Sequence, residues 1–127
     1  MERLELRYND AKKALETLER ILKESFSVII RDATIQRFEY TFEATWKFLK
    51  EYLKIKEGIL AQTPKSVFRE VGCLGFLSEN EVVNCLEMTD QRNLTSHTYR
   101  EDVAGMIFEN IPENTKLIKK ILDQVNL

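Results

Sequence analysis

With 127 residues, 43% of them apolar and 31% charged, the chain can bury a core, is too short for two ordinary domains, and is excluded from the disordered class. Four glycines and two prolines leave little room for a many-turned β fold. A net charge of −2 excludes the broad electrostatic footprint of a general nucleic-acid binder, though not a small cationic site.

The start, Met1-Glu2-Arg3-Leu4-Glu5, carries charges and amphipathic rhythm rather than the pattern of a signal peptide. No apolar run reaches membrane-spanning length, so a cytoplasmic protein without membrane contact is the expectation. Leu4, Tyr8, Ala11, Leu15, Leu18 and Leu22 alternate spacings of 4 and 3, which predicts an amphipathic helix from about 3 to 25. The β-branched stretch Phe26-Ser27-Val28-Ile29-Ile30 marks a change of direction, with Asp32 in the N-cap region of the next element.

A second stripe, Ile35, Phe38, Phe42, Thr45, Leu49 and Tyr52, joined by Trp46 and Leu53, predicts a long helix over about 32–57 that ends near Gly58. Its aromatic rings are mainly core, but Phe38, Tyr40 and Trp46 cannot all face one core, which places some of them at a subunit interface. Thr63-Pro64 is a helix start, with Thr63 as N-cap and Pro64 at the first helical position. Val67, Phe68, Val71 and Leu74 then give a short helix that stops around Gly72 to Gly75.

Ser78-Glu79-Asn80-Glu81 has the form of an N-cap followed by acidic first-turn residues. The helix it opens carries Val82, Cys85, Leu86 and Met88 and runs into Arg92. Val103, Met106, Ile107 and Ile111 form a further stripe, Pro112 interrupts or kinks it, and Leu117, Ile118, Ile121, Leu122 and Val125 finish the chain. The expectation is an all-α protein, one domain over residues 1–127, built as an up-and-down bundle of four main helices plus a short one. Cys73 and Cys85 are twelve positions apart; with one histidine and no CxxC, both read as buried thiols rather than as zinc ligands.

Most of the reactive residue types lie in Asp90-Gln91-Arg92-Asn93-Leu94-Thr95-Ser96-His97-Thr98-Tyr99, which holds the single histidine of the chain. In one straight α-helix Arg92 and Tyr99 would share a face, and His97 would point about 140° away from Arg92. Asn93 to Ser96 is mostly poor helix former, because short polar side chains compete for backbone hydrogen bonds. Thr98 and Glu101 have the spacing of a capping box for a fresh helix. A break at about 93–98 is therefore predicted, exposing polar groups at a helix junction.

At these residues the chain resembles the HEPN superfamily, most closely the branch called nucleotidyltransferase substrate-binding proteins, also described as the toxin half of HEPN–MNT pairs. Arg92-Asn93, three residues, then His97-Thr98-Tyr99 matches that family's R-x4-H-x-Y motif. Pro64 to Glu70, Gly75-Phe76-Leu77 and Arg37 to Glu43 (Arg-Phe-Glu-Tyr-Thr-Phe-Glu) are similar too, so the resemblance spans nearly the whole chain. It implies a four-helix bundle, a homodimer with two facing motifs, and as partner a minimal nucleotidyltransferase encoded nearby.

The resemblance also implies two chemistries. In metal-independent RNA cleavage, with RNA as substrate, His97 would act as general base or acid and Arg92 would stabilise charge on the phosphoryl oxygens. Asn93 would orient the phosphate or hydroxyl, and Asp90 would hold the imidazole or Arg92. In the second, Tyr99 would accept AMP from the partner, silencing the site with charge and bulk. No cofactor of the chain's own is implied; ATP would be used by the partner. The alternative is a non-catalytic subunit that presents substrate to the nucleotidyltransferase.

Overall fold

The computed structural model describes residues 2–125, and among them all regular structure is helical. Helix α1 spans Glu2–Ile21, α2 Val28–Tyr52, α3 Pro64–Cys73, α4 Glu79–Asn93 and α5 Glu101–Gln124. The chain between α1 and α2 turns over residues 22–27, so α1 ends short of the expected position 25. Its last carbonyls are tied off by Leu22, Lys23 and Glu24 amides at 3.1–3.2 Å.

The second helix starts at Val28, not at 32, and its N-cap is Ser27 rather than the Asp32 region. Ser27 has extended backbone, and its Oγ accepts a hydrogen bond from the Ile30 amide at 3.0 Å. That cap lets β-branched residues sit in the first helical turn despite their modest propensity. After Tyr52 the helix widens into one π turn over Leu53–Glu57 and stops at Gly58, whose φ of 68° is the left-handed stop glycine takes without strain.

Both sequence-level starts further on are as expected. Thr63 Oγ1 accepts from the Ser66 amide with Pro64 in the first turn, and Ser78 and Glu81 form a reciprocal capping box. Helix α3 closes at Gly75, φ 88°, with the Phe76 amide reaching back to the Val71 carbonyl at 3.3 Å. Helix α5 runs through Pro112 rather than ending there.

Cross-helix contacts fix the directions. Tyr8 on the first turns of α1 donates to the Leu122 carbonyl near the end of α5 at 3.2 Å, so these two are antiparallel. Arg31 and Glu101 bring the starts of α2 and α5 together, whereas Glu81 meets Lys120 and Gln91 meets Asn114. Helices α1, α2, α4 and α5 thus run up, down, up and down, with α3 as the short extra element. Phe38, Phe42, Phe48 and Phe68 are fully buried at the centre, Phe42 packing on Phe68 at 5.9 Å between ring centroids. Each such ring contributes about 1.5–3 kcal/mol relative to exposure.

Phe38 is in the core, Trp46 is half-buried, and Tyr40 remains exposed with its hydroxyl bonded to Thr17. Of the two cysteines, Cys85 is buried but Cys73 is exposed, which corrects the reading of both as core thiols. Burial pushes the Cys85 thiol up to about 12. Among the described residues no helix is long and apolar enough to cross a membrane.

Candidate functional site

The predicted break is present. Helix α4 stops at Asn93, a 3-10 turn covers Leu94–His97, and α5 begins at Glu101. The local cause is the competition read from the sequence: Thr95 Oγ1 donates to the Arg92 carbonyl at 2.7 Å, taking a backbone acceptor from the helix ladder. The Arg100 amide closes the turn onto the His97 carbonyl at 3.1 Å.

The expected Thr98–Glu101 capping box does not form. The N-cap of α5 is Arg100, which makes no side-chain cap bond, so Glu101 is the first helical residue rather than the third. Its carboxylate is engaged instead by Arg31, at 2.7 Å from Nη1 and 3.4 Å from Nη2. The Arg31 side chain is only 7% exposed and also bonds Asp32 at 3.1 Å. This hydrogen-bonded pairing holds the Glu101 carboxyl below, and the Arg31 guanidinium above, their usual ranges. A buried charge with two carboxylate partners anchors the start of α5 on α2, and with it the end of the motif.

Arg92 lies on the last turn of α4 and points to α2. Its Nη1 donates to Thr95 Oγ1 at 3.0 Å and stands 3.6 Å from Glu39; its Nη2 is 3.2 Å from Glu43. Trp46 Nε1 donates to the other Glu43 oxygen at 2.8 Å. Arg92, Glu39, Glu43, Tyr40 and Gln36 line a shallow cavity of about 400 Å³.

His97 and Tyr99 reach the surface at the break, Tyr99 with 78% of its area exposed. Tyr99 Oη is 3.4 Å from His97 Nδ1, with the rings edge to face. Asn93 is exposed at the end of α4. Asp90 is paired with Lys65 of α3 at 2.7 Å, so in this structure its carboxylate holds neither the imidazole nor Arg92. The fold therefore brings His97 to Tyr99 and directs Arg92 toward the two glutamates of α2.

Sequence reasoning misses Glu39 and Glu43 as partners of Arg92. Their four-residue spacing on a helix and their place in the Arg37–Glu43 stretch are the signal that marks them as one face. Among the described residues no group of three or more His, Cys, Asp or Glu is placed to hold a metal ion.

Residues 6–126 match the family described as nucleotidyltransferase substrate binding protein like. A Thermus thermophilus protein of solved structure is 44% identical, with a TM-score of 0.87 over 92% of this chain and 99% of that one. A Haemophilus influenzae protein, whose structure is described as revealing the fold of a substrate binding domain of a nucleotidyltransferase, is 23% identical with a TM-score of 0.79 over 92% and 97%. A chain of the toxin-antitoxin MntA-HpeT, in a mutant form, is 11% identical with a TM-score of 0.81 over 98% of each. At such identities the last two show the shared fold alone. No curated protein matches the chain.

Proposed function

The chain belongs to the nucleotidyltransferase substrate binding protein like family, the HEPN branch it resembles in sequence, and on that premise we propose that it is the HEPN-type partner of a minimal nucleotidyltransferase. In this reading it is the toxin of a toxin–antitoxin pair: a metal-independent endoribonuclease acting as a homodimer and silenced by AMP transfer to Tyr99. The observation that supports it best is the exposed His97–Tyr99 pair at the α4–α5 break, five and seven residues after Arg92.

Cleavage uses the 2′-hydroxyl of RNA as nucleophile on the adjacent phosphate. One His97 takes the hydroxyl proton, the 5′-oxygen leaves with a proton from an acid, and a cyclic phosphate remains. A single histidine per chain cannot serve both ends at once; two copies facing each other supply a base and an acid. Arg92 balances charge on the phosphoryl oxygens with its planar fork, and Asn93 orients the phosphate or hydroxyl. Both roles of the motif meet at Tyr99, since a phosphodiester there brings negative charge to the groups that would bind RNA.

The test is direct. Purified protein freed of AMP cleaves RNA, His97→Ala does not, and sedimentation gives a dimer. Co-expression with the neighbouring nucleotidyltransferase leaves an AMP-sized adduct on the Tyr99 peptide and abolishes cleavage. A chain that cuts no RNA when unmodified, with a His97→Ala variant of unchanged growth phenotype, loses the nuclease claim.

A second reading is favoured by one observation: Arg92 is already held by Glu39 and Glu43, in a chain of net charge −2. In that reading the chain is a non-catalytic subunit that presents substrate to the nucleotidyltransferase. A partner equally active with and without it, on every acceptor tried, counts against this.

A further inference from the structure

We infer that His97 is the proton acceptor for the modification of Tyr99, so that one imidazole serves RNA cleavage and the reaction that stops it. The inference rests on the reading of Tyr99 as the AMP acceptor and adds the group that makes its phenol a nucleophile. Tyr99 Oη lies 3.4 Å from His97 Nδ1, two residues away across the turn that closes the 3-10 segment. The pair sits at the surface, so a nucleotide held by another protein can reach it.

A phenol at neutral pH is almost wholly protonated and needs a base at the moment of attack. For Nδ1 to accept, the neutral imidazole carries its own proton on Nε2, which leaves the Nδ1 lone pair facing the phenol. The carboxylates nearest in the chain are engaged elsewhere: Glu101 by Arg31, Asp102 by Arg100 at 3.1 Å and Asp90 by Lys65 at 2.7 Å. Arg100, also adjacent, is a cation that cannot take a proton. Among the described residues, His97 is the base that stands against the phenol oxygen, at 3.4 Å.

The Tyr99 oxygen attacks the α-phosphorus of ATP held by the partner nucleotidyltransferase, and a new O–P bond forms. The bond from that phosphorus to the oxygen bridging the β-phosphate breaks, pyrophosphate leaves, and the phenolic proton passes to His97 Nδ1. An imidazolium then stands beside a new phosphodiester anion. The pairing occupies the ring that cleavage requires, which gives silencing a cause beyond bulk.

The experiment uses the full chain, the partner nucleotidyltransferase and ATP, following adduct by intact mass at saturating chain so that docking is separated from chemistry. Wild type, His97→Ala and His97→Gln are compared over a pH series, with free imidazole added to the alanine variant. The expected result is a loss of roughly tenfold to a hundredfold in the saturated rate for both variants, the low end of general-base effects because a phenol is already fairly acidic. The wild-type dependence of rate on pH is altered in both, and imidazole restores part of the alanine variant's rate.

Variants modified at the wild-type rate, slowed only through weaker docking, or slowed with the wild-type pH profile and no imidazole rescue overturn the inference and leave Tyr99 as acceptor. If the wild-type chain gains no AMP, or Tyr99→Phe gains as much, the acceptor reading itself falls and the inference falls with it.

Discussion

Arg92 and Glu43 face each other between α4 and α2, with Nη2 and Oε1 3.2 Å apart and side chains 25% and 34% exposed. Glu39 stands 3.6 Å from the other terminal nitrogen, and Trp46 holds the far oxygen of Glu43 at 2.8 Å. The Arg92 Nε is buried with no hydrogen-bond partner among the described residues, so the clamp leaves one donor unsatisfied. Two carboxylates against one guanidinium make the spot anionic as it stands. A phosphate that is to use Arg92 must displace them.

Removing one carboxylate charge should therefore favour RNA. A partly exposed ion pair of this kind contributes about 0.5–1 kcal/mol, so Glu43→Gln raises affinity for a short RNA roughly two- to fivefold. Glu39→Gln, with its longer contact, raises it less. Anisotropy of a labelled oligonucleotide at low salt measures both, and Arg92→Ala in the same background should cancel the gain. Unchanged or weaker binding in Glu43→Gln would show that the glutamate orients Arg92 rather than competing for it.

The acid side of the stability curve tests the Arg31–Glu101 anchor. Arg31 holds the Glu101 carboxyl below the ordinary glutamate value of 4.5. A carboxyl whose folded pKa is depressed adds stability above its unfolded pKa and loses it as pH falls through the folded one. Glu101→Gln should thus lower the urea midpoint at pH 7, and the gap to wild type should shrink as pH drops below 4.5. Lys120 and the Ser78 amide depress Glu81 in the same direction, so Glu81→Gln should behave alike. A gap that stays constant from neutral pH down to about pH 3 would rule out an electrostatic anchor.

What the sequence made legible is what local chemistry encodes. Thr63-Pro64, the Ser78–Glu81 box and the polar run that breaks α4 are each local, and each appears where its residues stand. The start of α2 departs from expectation because Val28-Ile29-Ile30 is β-branched, which masks Ser27 as the capable cap before it. The Thr98–Glu101 box fails for a different reason: a buried arginine seventy residues away outcompetes a local amide for Glu101. The Arg92–Glu43 clamp likewise joins two helices distant in sequence. Periodicity gives each helix its buried face but not the rotation that sets one particular glutamate against one particular arginine.

Gly72 shows how closely α3 and α4 approach. A Cβ there would lie 2.5 Å from Val82 Cγ2, a stiff β-branched side chain. Gly72→Ala gains up to about 1 kcal/mol of helix propensity, yet overpacking costs about 1–3 kcal/mol, so a net loss of up to about 2 kcal/mol is expected. In a Val82→Ala background the clash is gone and the same substitution should be neutral or stabilising. Urea unfolding of the four proteins closes the cycle, and additive effects would mean that the helices separate freely.

The two cysteines offer an independent reading of that approach and of the helix that carries Arg92. Cys73 is exposed at the end of α3, whereas Cys85 lies in α4 fully buried, its thiol pushed up to about 12 by desolvation and then by Glu81. The thiolate is the reactive form, so near pH 8 a thiol with so high a pKa has on the order of one ten-thousandth of its population ionised, before access is considered. A maleimide should add once to the native chain, at Cys73, and twice in urea, as intact mass will show. Slow labelling of Cys85 then measures how often α4 opens, because only the open state both exposes and acidifies the thiol. Gly72→Ala, which wedges α3 from α4, should speed that second addition, while Gly72→Ala with Val82→Ala should not. Rapid double labelling of the wild-type chain would mean that α4 is not held in place, and the Arg92–Glu43 clamp would then be a transient contact.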